Sequence, residues 1–134
     1  MMGEGNKIQS YKDLIVYQKG YDLALGIYRV TKKYPKEELF GLVSQMRRSA
    51  VSIPCNIVEG YRRNHRKEYI QFLYIALGSC GELETLIALS RDLNMVENEE
   101  LDNLYYQQDQ ISRLLLALIR SLSHPKREKT GERN

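Results

Sequence analysis

The architecture is best predicted from one stretch, QMRRSAVSIPCNIVEGYRR, which runs from Gln45 to Arg63. Apolar residues recur here every three or four positions, the spacing of one face of an α-helix: Val43, Met46, Ala50, Ile53 and Ile57. A second, polar stripe runs beside it: Gln45, Arg48, Ser52, Asn56, Glu59 and Arg63. A surface helix usually carries long charged side chains opposite its apolar stripe. A short, amide-rich stripe instead predicts contact with another polar helix face, within the chain or between copies of it.

Three more segments have helical periodicity, and prolines and glycines separate them. The predicted helices run from Lys12 to Tyr34, from Glu38 to Arg63, from His65 to Leu93 and from Asn98 to Ser123. The apolar face of the first helix is assigned to Leu14, Tyr17, Tyr21, Leu25 and Tyr28. No segment alternates with period two, and Asn94 is a predicted left-handed helix stop. We therefore predict an all-α, antiparallel up-down-up-down four-helix bundle over residues 11–124. It lies between a flexible N-terminus (1–10) and a basic disordered tail (125–134).

The composition limits the classes of protein to be considered. The chain has 134 residues, enough for one domain with a modest core. It has no uninterrupted apolar run near the ~18 residues that span a bilayer, and no secretory signal is recognised. We therefore predict a cytoplasmic protein with no membrane partner. Cys55 and Cys80 lack the spacing of a zinc site and are predicted to be buried, reduced thiols.

Catalysis is not expected from the residues present. A carboxylate-bridged di-iron bundle needs Glu-x-x-His pairs, and neither His65 nor His124 has a Glu three residues before it. The sequence has no P-loop, no nucleophile elbow and no plausible Ser–His–Asp set. We predict no enzymatic activity, no cofactor and no metal.

The polar stripe predicts a seam between the second and third helices. Folding the third helix back about residue 64 brings Ser52 level with Ile75 and places Arg48 within one turn of Glu82. We predict an Arg48–Glu82 ion pair there. Gly78 and Gly81 lower helix propensity, and such glycines usually permit another backbone to approach closely. The seam is therefore interpreted as structural, fixing helix register or subunit contacts.

Charge is distributed unevenly between the two ends of the predicted bundle. Eleven basic and six acidic residues fall at the end holding the chain start, the second turn and the tail, a net charge of +5. Four basic and seven acidic residues at the other end leave −3. We call the first end the basic pole. It is either a solvated helix end or a phosphate-binding surface. Its candidate nucleic-acid-binding residues are Arg62, Arg63, Arg66, Lys67, Arg120, Lys126 and Arg127.

These motifs also carry a family resemblance. The segments YKDLIVYQKGYDLAL, LFGLVSQMRRSAVSIPCNIVEGYRR and KEYIQFLYIALGSCGELET resemble the 23S rRNA intervening-sequence protein family of small bacterial four-helix bundles. That family is similar to the accessory variability determinant of diversity-generating retroelements, which binds nucleic acid and a reverse transcriptase. The resemblance implies a homopentamer of parallel bundles with no known enzymatic activity. Nine of the family's motif positions are assigned to the polar seam or interface: Gln45, Arg48, Ser52, Pro54, Asn56, Glu59, Ser79, Glu82 and Glu84.

Two classes of function remain open. In the first, a ring of five parallel bundles gathers its basic poles on one face, about +25 in total, and binds RNA or DNA with weak sequence preference. In the second, the oligomer is a structural scaffold or accessory subunit that binds a protein partner such as a reverse transcriptase.

Overall fold

The computed structural model describes residues 8–124, in which four long helices form an antiparallel bundle. The helices are α1 (Ile15–Thr31), α2 (Ser44–Tyr61), α3 (Arg66–Asp92) and α4 (Asn98–Ser123). The described residues contain no β-strand, so the all-α prediction is confirmed. Helices α1 and α3 each contact both α2 and α4, as in an up-down-up-down bundle. The predictions for residues 1–7 and 125–134, including Lys126 and Arg127, lie outside the described residues.

Contacts between neighbouring helices establish their antiparallel directions. A Cβ on Gly26 of α1 would lie 3.3 Å from Leu104 of α4. Just beyond the end of α1, the Lys33 ammonium lies 2.7 Å from the Glu100 carboxylate, near the start of α4. On the other side of the bundle, Arg91 of α3 pairs with Asp102 near the start of α4. The two ends of the bundle are therefore distinct places.

The first helix is shorter than the sequence predicts. Tyr11–Asp13 form a separate 3₁₀ turn, capped when the Ser10 hydroxyl accepts from the Lys12 N–H and the Asp13 carboxylate accepts from the Ser10 N–H. Leu14 then adopts an extended conformation (φ −75°, ψ 126°), so α1 begins at Ile15 rather than Lys12. It ends at Thr31, before the predicted Tyr34.

The connection from α1 to α2 is also more irregular than predicted. A 3₁₀ turn at Lys36–Glu38 leads into a π-helical segment at Leu39–Val43, in which Gly41 has non-helical angles (φ −112°, ψ −107°). Because of this kink, α2 begins at Ser44 and not at Glu38. The segment leaves the Phe40 ring 92% exposed. In the connection from α3 to α4, Asn94 has a φ of 56°, which confirms the predicted left-handed helix stop.

All four helices contribute to one hydrophobic core. The largest fully buried side chains are Leu23, Ile27, Met46, Ile53, Ile57, Leu73, Leu83, Ile87, Leu101, Leu104, Ile111 and Leu115. The predicted apolar stripe of α2 is therefore confirmed.

The assigned core face of α1 is wrong at three of its five residues, whereas Leu14 and Tyr17 pack against the core while only partly buried. Tyr21, Leu25 and Tyr28 are 51%, 45% and 41% exposed, and the buried residues of α1 are Val16, Gly20, Leu23, Gly26, Ile27 and Thr31. Glycine explains the choice of face, since a Cβ on Gly20 would lie 3.2 Å from the Ile53 side chain. The missing side chains let α2 and α4 approach this side of α1.

Candidate functional site

Helices α2 and α3 meet through hydrogen-bonded polar side chains, as the polar stripe predicts. The Ser52 and Ser79 hydroxyl oxygens lie 2.8 Å apart. The Asn56 amide donates to the Ser52 hydroxyl at 2.9 Å and to the Ser52 carbonyl at 2.8 Å. The register is nevertheless different, because Ser52 faces Ser79 and not Ile75. The shift is four residues, about 6 Å of helix rise, and α3 accordingly begins about one turn beyond the end of α2.

Beside this contact lies an open cleft of ≈ 420 Å³, which we call the seam cleft. Its lining residues are Gln45, Arg48, Ser49, Ser52, Ser79 and Glu82. Arg48 and Glu82 share the cleft, but the structure contains no ion pair between these two described residues, contrary to the prediction. Ser49 is 3% exposed, and its hydroxyl finds no hydrogen-bond partner within residues 8–124. An unsatisfied buried hydroxyl is uncommon in native proteins.

Three residues assigned to the seam by the resemblance lie elsewhere. Pro54 is buried against α1, 3.7 Å from a Cβ built on Gly20. The Glu59 carboxylate lines the groove between α1 and α2. Glu84 lies in a separate cleft toward α4. Pro54 and Glu84 stand two positions from seam residues, which places them ~200° away around their helices.

The mid-helix glycines of α3 have no close neighbour within the chain. A Cβ built on Gly78 or Gly81 would meet nothing within 4 Å among the described residues. The predicted close approach of another backbone is therefore not made by this bundle itself. Gly60 of α2 is the opposite case, because its Cβ would lie 2.8 Å from the Cβ of Phe72.

The basic pole is assembled where α2 and α4 end and α3 begins. Arg62, Arg63, Arg66, Lys67 and Arg120 are all exposed there. With Lys12, the described residues at this end include six basic side chains. They also include three acidic ones, Asp13, Glu59 and Glu68, so the net charge is +3. The opposite end keeps its predicted net charge of −3.

Some of these cations already have partners. Arg63 pairs with Glu59 at 2.7 Å and lies 4.8 Å from the centre of the Phe72 ring. Arg62 lies 5.3 Å from the centre of the Tyr11 ring. Arg66, Lys67 and Arg120 make no ion pair with any residue in the described part of the chain. Lys12 also makes no ion pair among the described residues, so these four are the cations at the pole available for an external anion.

Helix α3 begins at this pole without a side-chain cap. His65 is the N-cap residue, and its side chain makes no capping hydrogen bond. The first turn holds Arg66 and Lys67 together with Glu68. Cations at a helix N-terminus are disfavoured by the helix dipole, whereas an anion there is favoured. The local electrostatics thus suit a bound phosphate.

A groove of ≈ 490 Å³ runs between α1 and α2 and is mostly apolar. Its lining residues are Tyr17, Tyr21, Ala24, Leu25, Tyr28, Val51, Pro54, Cys55, Val58 and Glu59. Cys55 is exposed there, so the prediction that both thiols are buried holds only for Cys80. A second cleft of ≈ 490 Å³ shares Tyr28 and Val51 with this groove and extends it to Phe40 and Arg47.

Tyr17, Tyr21 and Tyr28 line this groove, and Tyr11 contacts Tyr17; we call these four residues the tyrosine ladder. The ring centres of Tyr11 and Tyr17 are 5.0 Å apart, and those of Tyr17 and Tyr21 are 6.0 Å apart. The Arg47 guanidinium lies 4.5 Å from the centre of the Tyr28 ring. Sequence reasoning missed this surface, although the i, i+4 spacing of Tyr17 and Tyr21 was visible, because that spacing was assigned to the core.

Burial perturbs three titratable groups near these surfaces. It raises the pKa of Tyr17, and the neighbouring Tyr11, Tyr21 and Cys55 add to the effect. Burial also raises the pKa of Tyr69 to about 12 and that of the Cys80 thiol to about 11. All three shifts move ionisation further above neutral pH.

Metal and membrane sites can be considered only for residues 8–124. No three His, Cys, Asp or Glu side chains in that range cluster closely enough to hold a metal ion. One helix there, α3, is long and apolar enough to cross a membrane. Core helices of globular proteins pass the same test, so this is weak evidence. The absence of a membrane partner stays a prediction.

Comparisons with known proteins agree on one family. The sequence profile described as 23S rRNA-intervening sequence protein matches residues 12–117. A crystal structure of a protein of unknown function from the S23 ribosomal protein family of Bacteroides thetaiotaomicron is similar, with a TM-score of 0.74 and 26% sequence identity. The match covers 79% of this chain and 99% of that one. No curated protein sequence matches the chain significantly.

Proposed function

The chain belongs to the 23S rRNA-intervening sequence protein family, and we propose that it is a non-enzymatic, cytoplasmic protein that binds RNA or DNA electrostatically through its basic pole. The observation that carries the proposal is the charge separation along the bundle, +3 at one described end and −3 at the other. Phosphate backbones bind clustered cations with little dependence on sequence. The pole offers such a cluster in Arg66, Lys67 and Arg120.

The start of α3 supports the same proposal. Arg66 and Lys67 stand in the first turn of a helix whose N-terminal N–H groups receive no side-chain cap. This arrangement is electrostatically unfavourable for the free protein, and a phosphate placed there would relieve it. Binding then has a physical cause beyond net charge, because the free N–H groups and the cations stand in the same first turn.

We further propose that the protein is a homopentameric ring of parallel bundles. The unpaired Ser49 hydroxyl and the open surface above Gly78 support a contact between copies at the seam cleft. A ring of parallel bundles places all five basic poles on one face, which multiplies the field felt by a polyanion. Light scattering of the purified protein tests the ring, and a monomeric mass contradicts it.

The test of nucleic-acid binding compares two variants of equal charge change. Arg66→Ala/Lys67→Ala removes two cations from the pole, and Lys32→Ala/Lys36→Ala removes two exposed cations from the opposite end. Both lower the net charge from +3 to +1. Binding to a labelled 20-nucleotide RNA is measured by fluorescence anisotropy at several salt concentrations. We expect the pole variant alone to weaken binding and to reduce the salt slope by up to ~2.

The matched control separates a localised site from general attraction. If both variants weaken binding equally, net charge and not the pole is responsible, and the proposal fails. It fails also if the unmodified protein does not bind RNA or DNA at low salt. Arg62 and Arg63 are left intact because they contact other side chains. Replacing them would also disturb the Tyr11 and Phe72 rings and Glu59.

The alternative function is a scaffold or accessory subunit that binds a protein partner such as a reverse transcriptase. The observation that favours it is Phe40, whose ring is 92% exposed beside a cleft. Large exposed aromatic residues are enriched at protein interfaces. Co-purification of a partner that Phe40→Ser abolishes, without nucleic acid, would favour this alternative.

A further inference from the structure

We propose that the groove between α1 and α2 binds single-stranded nucleic acid, with unpaired bases stacked on the tyrosine ladder. The inference rests on the proposed nucleic-acid function and specifies that the ligand is single-stranded. Proteins that bind single strands combine aromatic platforms for bases with nearby cations for the backbone. Both parts are present along this groove.

The ladder supplies two tyrosine rings that are exposed on the surface. Tyr21 and Tyr28 are 51% and 41% exposed, so their rings are accessible to a ligand. Tyr17 is half-buried and links Tyr21 to Tyr11 through ring contacts of 6.0 and 5.0 Å. The fully buried residues of α1 lie on its other side, which leaves Tyr21 and Tyr28 accessible for binding.

The dimensions suit a short strand. Tyr17 and Tyr28 are eleven residues apart on α1, about 16 Å at the helix rise of ~1.5 Å per residue. Stacked nucleotides rise ~3.4 Å each along a strand, so the ladder spans about five of them. A groove of ≈ 490 Å³ has room for bases beside the rings. Duplex DNA hides its base faces and cannot use such a surface.

Charge is placed where the strand backbone would need it. At one end of the ladder Arg62 stands over Tyr11 and joins it to the basic pole. At the other end Arg47 stands over Tyr28, and Arg48 lies in the same cleft. The carboxylate lining the groove, Glu59, is paired with Arg63. A strand entering from the pole therefore finds cations at both ends.

The experiment measures, by fluorescence anisotropy, how tightly the protein binds a labelled 12-nucleotide single-stranded DNA and the matching duplex. Tyr21→Ala is expected to weaken single-strand binding roughly tenfold, the scale of one lost stacking contact, and to leave duplex binding unchanged. Tyr21→Phe keeps a ring and should bind like the unmodified protein. Tyr106→Ala on α4 is the matched control, since that tyrosine is 60% exposed and outside the groove. Because the chain has ten Tyr and no Trp, quenching of tyrosine fluorescence gives an independent readout of stacking.

The outcomes separate this inference from the proposed function. If Tyr21→Ala binds single strands as well as the unmodified protein does, the inference about the groove is overturned. That holds even if Arg66→Ala/Lys67→Ala weakens binding and so supports the proposed role of the basic pole. A lower mass of Tyr21→Ala by light scattering also overturns the inference about the groove, because the groove would then be a subunit contact. If binding depends on Tyr21 but is unchanged in Arg66→Ala/Lys67→Ala, the groove is supported as a binding site and the proposed role of the basic pole is refuted.

Discussion

The Ser52 hydroxyl of α2 lies 2.8 Å from the Ser79 hydroxyl of α3, at the centre of the contact between the two helices. Ser79 is only 9% exposed, and the Asn56 amide holds Ser52 from the other side. The contact specifies one register, since a slip of one residue along either helix would separate the two hydroxyls.

Ser79→Ala should lower the free energy of unfolding by about 1 kcal/mol, the net value of a typical hydrogen bond. Urea denaturation measures it. Thr85→Ala is the control on the same helix, because Thr85 is exposed and donates only to the Gly81 carbonyl of α3. Equal stability of the Ser79 variant and the unmodified protein would show that the contact fixes no register.

Gly60→Ala should destabilise the bundle by about 1–3 kcal/mol, because the added methyl group would meet Phe72 at 2.8 Å and Tyr69 at 3.0 Å. Gly78→Ala provides the matched comparison. Nothing lies within 4 Å of its new methyl group, so higher helix propensity should stabilise the chain by up to ~1 kcal/mol. Thermal unfolding of both variants shows whether packing or helix propensity determines the effect of the added methyl group. A destabilised Gly78→Ala would indicate that another molecule packs against α3.

Ser49→Ala should raise the free energy of unfolding by about 1 kcal/mol, because it removes a buried hydroxyl that has no partner among the described residues. Ser44→Ala, on the same helix but only partly buried, is the control. Chemical denaturation at low protein concentration is the measurement. A loss of stability in Ser49→Ala would contradict the expectation and show that this hydroxyl is hydrogen-bonded in solution.

Stability should decline at alkaline pH, partly through Tyr69. Burial disfavours the ionised phenolate, so the folded pKa rises from the usual 10.0 to about 12. The contribution of Tyr69 is then complete below pH ~10 and is lost as pH rises toward ~12. Tyr69→Phe should flatten the decline over that range in a pH series of urea melts, whereas Tyr106→Phe at an exposed site should not. A decline of unchanged slope in Tyr69→Phe would rule Tyr69 out as a cause.

The two stripes of α2 were predictable from its sequence because the helical spacing allows only one assignment for each of them. Met46, Ile53 and Ile57 are the only large apolar residues at helical spacing on one side, and all are fully buried. Ser52 and Asn56 then had to face a polar neighbour. Asn94 was predictable for the same local reason, since asparagine tolerates a positive φ better than most residues.

Helix α1 was not predictable from its own pattern, because it carries two apolar stripes. Tyr17, Tyr21 and Leu25 form one, and Val16, Leu23 and Ile27 form the other. Periodicity alone gives no preference between them. Gly20 decided the outcome by allowing Ile53 of α2 to approach closely, and this contact exists only once the helices are packed.

The sequence by itself determined the helices, their antiparallel order and the separation of charge between the two ends, since periodicity, helix stops and chain connectivity are local or topological properties. Only the tertiary structure decided the one-turn shift that pairs Ser52 with Ser79, the unpaired Ser49 and the exposure of the tyrosine ladder. These depend on how closely helix faces approach, and that distance is set by the small residues of two helices acting together.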